Sequence, residues 1–257
     1  MDYNDQTNYK ITLIEVPVRI VSLVPSQTEL LYYLGTPPVG QTIFCYHPRN
    51  NFTKSIKVGG TKKLQLDKIR SLKPDLIIGN KEENQKEQIE ELRQEFQVWL
   101  SDIYTQEDAT AMIRQVGQLV DKSKIADDLA CTIDHGFNSG TKNTKGTALY
   151  LIWNNPYMAA GRNTFINSIL EAHGYSNAIP ELDSRYPTIS LAEMKKINPD
   201  YILLSSEPYP FKNRHISDLE GHFPKAKVRL VDGELYSWYG PRLLKTIESL
   251  REQFSNI

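Results

Sequence analysis

The sequence predicts an α/β protein of two lobes, each a central, mostly parallel sheet flanked by helices, bridged by a single long helix. Three observations carry that prediction. Apolar strand-like runs alternate with helical patterns along nearly the whole chain, the order that builds parallel sheets. The segment LDKIRSLKPDLIIGNKEE, from Leu66, recurs as LAEMKKINPDYILLSSEP, from Leu191. Leu66 matches Leu191, Ile69 matches Met194, Leu72 matches Ile197, Pro74-Asp75 matches Pro199-Asp200 and Glu82 matches Glu207, all at one offset, which marks an internal repeat. Between the copies, SKIADDLACTIDHGFN at 123–138 puts Ile125, Ala126, Leu129, Ala130, Ile133 and Phe137 on one helical face, with Ser123 to cap its start and Gly136 to loosen its end. At about 1.5 Å per residue that helix spans roughly 24 Å, the scale of a strut between two small bodies. The lobes are expected at 17–121 and 141–257, with the helix at 122–140.

In chain order, the first ten or so residues read as a polar tail, and residues 19–24 as a strand buried on both faces. Pro25 stops it, and Ser26 with Glu29 reads as a capping box for a helix that buries Leu30, Leu31 and Leu34 and ends at Gly35. A strand is expected at 39–44, then the loop CYHPRNNFTKS and a turn at Gly59-Gly60. A short helix at 65–72 halts ahead of Pro74, followed by a strand at 76–79, a charged helix at 82–96, a strand at 97–100 and a helix at 105–120 with Thr105 and Asp108 at its cap. Beyond the long helix, SGTKNTKG reads as a loop, 148–153 as a strand, 163–173 as a helix closed by Gly174, and 191–197 as a helix. Strands at 201–205 and 227–231 and a last helix at 241–254, with Pro241 in its first turn, complete the second lobe.

Bulk properties narrow the function. With 257 residues, 40% of them hydrophobic, the chain can build a core in either lobe. A net charge of -1 with interspersed signs argues against nucleic acid as a partner, and no apolar run approaches the ~18 residues of a membrane span. The opening MDYNDQTNYKITLIEVP shows no basic n-region, long apolar core or small-residue cleavage site, hence no visible signal peptide. Cys45, in a loop, and Cys131, on the long helix, are expected as free thiols.

Rings cluster in segments that follow strands, and in open α/β sheets ligands collect outside the carboxyl ends of strands. Phe44, Tyr46 and His47 follow one strand, Trp153 and Tyr157 another, then Tyr209 and Phe211, then Tyr236, Trp238 and Tyr239, while Tyr186 precedes a helix. Such rings suit a large, flat or partly apolar ligand, though each alone is equally explained as a cover for a sheet end. Cys45 and His47 are too close in sequence to serve one substrate as a nucleophile and base, and no carboxylate orients them. The five histidines show no metal-ligand spacing and no phosphate-cradling glycine motif is present, so no protein-held metal and no nucleotide are expected.

The segments RIVSLVPSQTELLYYLG, VGGTKKLQLDKIRSLKPDLIIGNKEEN, MAAGRNTF, SSEPYPF and VDGELYSWYGPR together resemble the vitamin-B12 and ferric-siderophore substrate-binding proteins of ABC importers, the last two most like the cobalamin branch. The resemblance covers nearly the whole chain from Val16. It implies a binding protein and not an enzyme, with no intrinsic cofactor, and a cobalamin-type corrinoid gripped between the lobes. A ferric siderophore or haem is the alternative ligand, for which Arg162, Arg185, Arg214 or Arg242 would supply positive charge; a metal-chelate-processing enzyme is the alternative of another class. By position the resemblance assigns Pro25, Phe44, Met158 with Tyr157, and Tyr186 to the ligand, with the loop carrying Tyr236, Trp238 and Tyr239 close by. Tyr46, His47 and Arg242 complete the expected site. One departure is that Thr61 or Lys62 stands where some members carry tryptophan.

The resemblance further implies a monomer that docks on an ABC permease through a carboxylate at the start of one short helix in each lobe. The first is Asp67; the repeat offset puts Ala192 at the second, with Glu193 one residue, or about 100° of helix, further on. A periplasmic or envelope-associated location is implied, while the absent signal keeps a cytoplasmic one open.

Overall fold

A computed structural model describes residues 1–138, 144–181 and 184–255 of the chain. The loop expected at SGTKNTKG lies largely outside the described residues. Two compact units emerge. Unit 1 comprises Met1–Ile103, Glu107–Asp134 and Tyr239–Leu243, and unit 2 comprises Tyr104–Gln106, His135–Trp238 and Leu244–Ile257.

Unit 1 opens with a hairpin, β1 (Asp2–Asn4) and β2 (Lys10–Thr12), where a polar tail was expected. The hairpin forms because Ile11 and Leu13 are buried and because the Asp5 carboxylate receives the backbone N–H of Thr7 and of Tyr9, each at 2.8 Å. Next come β3 (Ile20–Ser22), α1 (Pro25–Tyr33), β4 (Gly40–Gln41), α2 (Arg49–Phe52), β5 (Ile56–Lys57), β6 (Gly59–Gly60), β7 (Lys63–Leu64), α3 (Leu66–Ser71), β8 (Leu76–Asn80), α4 (Lys86–Arg93), β9 (Val98–Ser101), α5 (Gln106–Leu119) and α6 (Ser123–Asn138). Strands β5-β4-β3-β8-β9 form an all-parallel sheet, and β6 and β7 a small antiparallel pair. Val21, Leu23, Ile69, Ile77, Ile89, Leu92 and Val98 fill its core.

Several local expectations are corrected here. Ser26 and Glu29 form no capping box, because α1 begins at Pro25 with Val24 as its cap and the Glu29 carboxylate is engaged by Arg242. The strand at 39–44 shrinks to β4, and the loop after it contains α2 and β5. Gly59-Gly60 is a strand, not a turn. The charged helix starts only at Lys86, because the Asn80 side chain receives the N–H of Glu82 and of Glu83 and holds that stretch in a turn.

The long α6 has the bounds its apolar period predicts, although Gly136 lies inside it and not at its end. There a Cβ would come within 2.6 Å of Ile247, so the glycine admits a close neighbour. Both copies of the sequence repeat fold alike. Each short helix is followed by a left-handed residue, Lys73 (φ 46) or Asn198 (φ 50), and then by Pro-Asp. Asp75 receives the N–H of Val18 at 2.8 Å and of Arg19, and Asp200 receives that of Thr147 at 2.7 Å, so in each unit the aspartate pins the start of the neighbouring strand.

Unit 2 contains β10 (Gly146–Trp153), β11 (Met158–Ala159), α7 (Phe165–Ala172), β12 (Tyr175–Asn177), α8 (Leu191–Ile197), β13 (Tyr201–Ser205), α9 (Asn213–His222), β14 (Lys227–Val231), α10 (Gly233–Ser237) and α11 (Leu243–Ser255). Its sheet runs β11-β10-β13-β14 with β12 also on β10, and every pairing is parallel except β10 with β11. One core packs Leu149, Leu151, Met194, Ile202, Leu204, Leu219 and Phe223. The last helix begins at Leu243, because Pro241 and Arg242 belong to the segment seated in unit 1.

At the end of α7, His173 is wholly buried, hydrogen-bonded through Nδ1 to the Ile169 carbonyl at 2.8 Å and stacked on Tyr236 at 4.8 Å. Burial lowers its imidazole to about 4. The folded protein therefore keeps it neutral while the unfolded chain takes up a proton below about 6.5, so its contribution is complete above that pH and is lost as pH falls towards 4. Unfolding free energies at pH 7.5 and 4.5 should differ by about 2–3 kcal/mol more in the wild type than in His173→Phe. Equal pH dependence in the two proteins would contradict the burial of a neutral imidazole.

Candidate functional site

In unit 1 the five parallel strands present their carboxyl ends together, and the loops leaving that edge carry four of the expected residues, Pro25, Phe44, Tyr46 and His47. β3 turns directly into α1, with Pro25 buried at the first helical position. After β4, Phe44 and Tyr46 remain 42% and 43% exposed, so these rings are open to a ligand. Phe44 covers Gly60, where a Cβ would stand 3.1 Å from its ring. Tyr46 is tilted on Phe52 at 5.4 Å, and the Lys57 ammonium stands 3.8 Å from the Phe52 centroid. His47 follows, half-buried. Behind these rings Cys45 is fully buried, its thiol contacted by the Thr28 hydroxyl at 3.0 Å and pushed up in pKa by burial, which makes it unreactive. Both cysteines are free.

The SWYGPR segment is largely buried. Tyr239 and Arg242 are each 4% exposed. Tyr239 donates its hydroxyl to Glu83 at 3.0 Å and its N–H to the Ser26 hydroxyl at 3.3 Å. Gly240 lies against the Ser26 carbonyl in a left-handed conformation, φ 94, which explains the glycine there. Arg242 grips both Glu29 oxygens, at 2.8 and 3.2 Å. In unit 2, Tyr236 and Trp238 are each 5% exposed. Tyr236 lies between Tyr150 and His173, and Trp238 donates its indole N–H to Glu207 at 2.6 Å. Burial raises the Glu207 carboxyl. Tyr236, Trp238, Tyr239 and Arg242 are thus buried here, each against neighbours of its own unit.

Unit 2 offers other rings. The turn after β10 carries Tyr157, which with Asn154, Pro156, Thr188 and Ile189 lines a cavity of about 560 Å³; Met158 begins β11 beside it. Trp153, 41% exposed, and Phe211 pack on Tyr209 edge-on, at 5.7 and 4.8 Å. Tyr186 is half-buried on the segment before α8. Among the described residues no group of three or more His, Cys, Asp or Glu is arranged to hold a metal ion. Nor is any helix among them long and apolar enough to cross a membrane.

The expected docking carboxylates differ in kind. Asp67 is the second residue of α3 and its side chain is fully exposed, with Arg70 3.2 Å away. α8 starts at Leu191, keeping the repeat offset, so Ala192 is the true counterpart of Asp67. Glu193 turns back to accept from the Ser190 N–H at 2.8 Å and hydroxyl at 2.6 Å, and that hydrogen bonding lowers its carboxyl.

Lys57 and Phe52, which pack beside Tyr46, are not singled out by the sequence, because the two-residue strand that holds Lys57 has no periodicity to read.

A family model described as periplasmic binding protein matches residues 20–223. The chain is 25% identical over 270 residues to the uncharacterized ABC transporter substrate-binding lipoprotein YvrC of Bacillus subtilis, covering 97% of this chain and 83% of that protein. It is 24% identical to a vitamin B12-binding protein of Vibrio vulnificus, covering 97% and 94%. The solved structure of the siderophore-binding protein BauB, bound to two acinetobactin molecules and ferric iron, superposes with a TM-score of 0.80 at 18% identity, covering 98% of this chain and 97% of that one.

Proposed function

The chain belongs to the periplasmic binding protein family, and from that premise we propose that it holds a cobalamin-type corrinoid for delivery to an ABC permease. The observation that carries this reading is the pair of open rings, Phe44 and Tyr46, at the carboxyl edge of the unit 1 sheet. In this reading the candidate ligand residues of unit 1 are Pro25, Phe44, Tyr46 and His47, and those of unit 2, taken by itself, are Tyr157, Met158 and Tyr186. The likeness to a vitamin B12-binding protein over 97% of the chain supports a corrinoid. The likeness to BauB supports a ferric siderophore as the second reading. Three of the four arginines that such an anionic ligand would call on are otherwise engaged: Arg162 by the Ile179 carbonyl, Arg185 by that of Asn163, and Arg242 by Glu29. Arg214 donates to the His215 ring at 3.4 Å. Asp67 is the docking carboxylate of this proposal, with Glu193 secondary because its own helix cap holds it.

Incubating the protein with cyanocobalamin, haem or a ferric siderophore, removing free ligand and recording the visible spectrum tests the reading. Retained corrin bands are expected; retained haem or siderophore with no corrinoid would overturn it. Phe44→Ala and Tyr157→Ala should each weaken binding of the retained ligand by about 1–3 kcal/mol, the scale of returning a large buried apolar surface to water. Calorimetric titration showing unchanged affinity in both would remove these rings from the site.

A further inference from the structure

We propose that Lys57 is an oxyanion-receiving subsite at the ligand edge of unit 1, and that the ligand therefore carries a phosphate or carboxylate beside a broad apolar or conjugated surface. The inference rests on the chelate-binding reading of this site and specifies its ligand.

β5 pairs in parallel with β4, Lys57 opposite Gln41, so Lys57 ends its strand at the same edge from which Phe44 and Tyr46 emerge. Its ammonium stands over the Phe52 ring and donates to the Ser55 hydroxyl at 2.6 Å. Phe52 in turn packs on Tyr46, so cation and rings form one continuous assembly. An ammonium has three donors, and these two contacts leave capacity for an incoming oxygen. Lys57 is half-buried, and burial lowers its amine. Among the described residues no carboxylate pairs with it, in contrast to Arg70, Arg93, Arg114 and Arg242, each of which is matched to an acid. A partly desolvated cation without a counter-charge is a receptor for one, because the desolvation already incurred makes a charge-assisted hydrogen bond stronger. The rings then fix where the rest of the ligand lies: an apolar face on Phe44 and Tyr46, with its oxyanion towards Lys57.

The alternative is that the aliphatic stem merely covers Phe52, as long charged side chains do on apolar surfaces. Lys57→Met keeps that stem and removes the charge; Lys57→Arg keeps the charge. The probes are cyanocobalamin, whose nucleotide loop carries a phosphodiester, and dicyanocobinamide, which lacks it. By equilibrium titration, Lys57→Met should lose about tenfold or more in affinity for cyanocobalamin and less than about twofold for the cobinamide, while Lys57→Arg stays close to wild type. Equal affinities in Lys57→Met and wild type, or equal losses on both probes, would overturn the subsite. If the wild type takes up neither corrinoid, the corrinoid reading fails separately, and haem against its dimethyl ester puts the same question to a carboxylate. A Lys57→Met loss confined to the free acid supports the subsite; a loss on both, on neither, or no uptake of either macrocycle overturns it.

Discussion

Replacing Arg242 by alanine is expected to lower the stability of the protein by about 3–5 kcal/mol, the range for breaking a buried ion pair from one side. The guanidinium is 4% exposed and makes a two-pronged contact with Glu29 on α1. Its removal leaves the Glu29 carboxylate, itself only 18% exposed, enclosed without a counter-charge. Replacing both partners removes the stranded charge as well as the attraction, so Glu29→Leu with Arg242→Met should recover much of the loss. Chemical unfolding of the two single variants and the double variant reads this directly. An Arg242→Ala protein as stable as wild type, but weakened in ligand uptake, would return Arg242 to the binding surface.

The contrast between Arg242 and Phe44 shows what the sequence discloses about the site. Arg242 sits in a segment that carries the family resemblance, Phe44 stands at a position the resemblance assigns to the ligand, and both come after a strand. Position after a strand puts a side chain near the carboxyl edge of a sheet, but whether it faces a ligand depends on partners far along the chain. Arg242 meets Glu29 and Tyr239 meets Glu83, separations of 213 and 156 residues that no local pattern encodes. Elements with a strong period or firm punctuation were legible to the residue: α6 by its apolar stripe, α8 between Ser190 and Pro199, β13 and β14 as short apolar runs. α9 was not, because NRHISDLEGH buries only His215 and Leu219 and so carries little apolar period. The repeat was legible as chemistry as well as pattern, since its Pro-Asp pairs mark strand-pinning carboxylates in both units.

The hairpin before β3 is the clearest case of structure hidden in polar sequence, and it leads to the second large effect. Asp5 is 3% exposed and gathers five donors: the N–H and hydroxyl of Thr7, the N–H of Tyr9, the N–H of Leu100 on β9, and the Arg93 guanidinium at 2.9 Å. One carboxylate therefore closes the hairpin turn and ties it to the edge strand of the sheet. The neighbouring Gln6 N–H bonds the Leu100 carbonyl at 3.1 Å, so the segment also covers an edge that would otherwise stand open to pairing. Asp5→Ala takes from the buried Arg93 its enclosed acid, leaving it only the more exposed Glu90 at 2.9 Å, and strands several backbone donors at once; it should lower stability by about 3–5 kcal/mol. Asp5→Asn keeps an acceptor for the backbone but loses the charge, and should fall between the two. Hydrogen exchange supplies the local readout: amides of β1, β2 and the outer edge of β9 should lose protection in Asp5→Ala ahead of those in β8. A variant with wild-type stability and unchanged protection in β9 would mean that the hairpin only rests on the sheet and holds nothing in place.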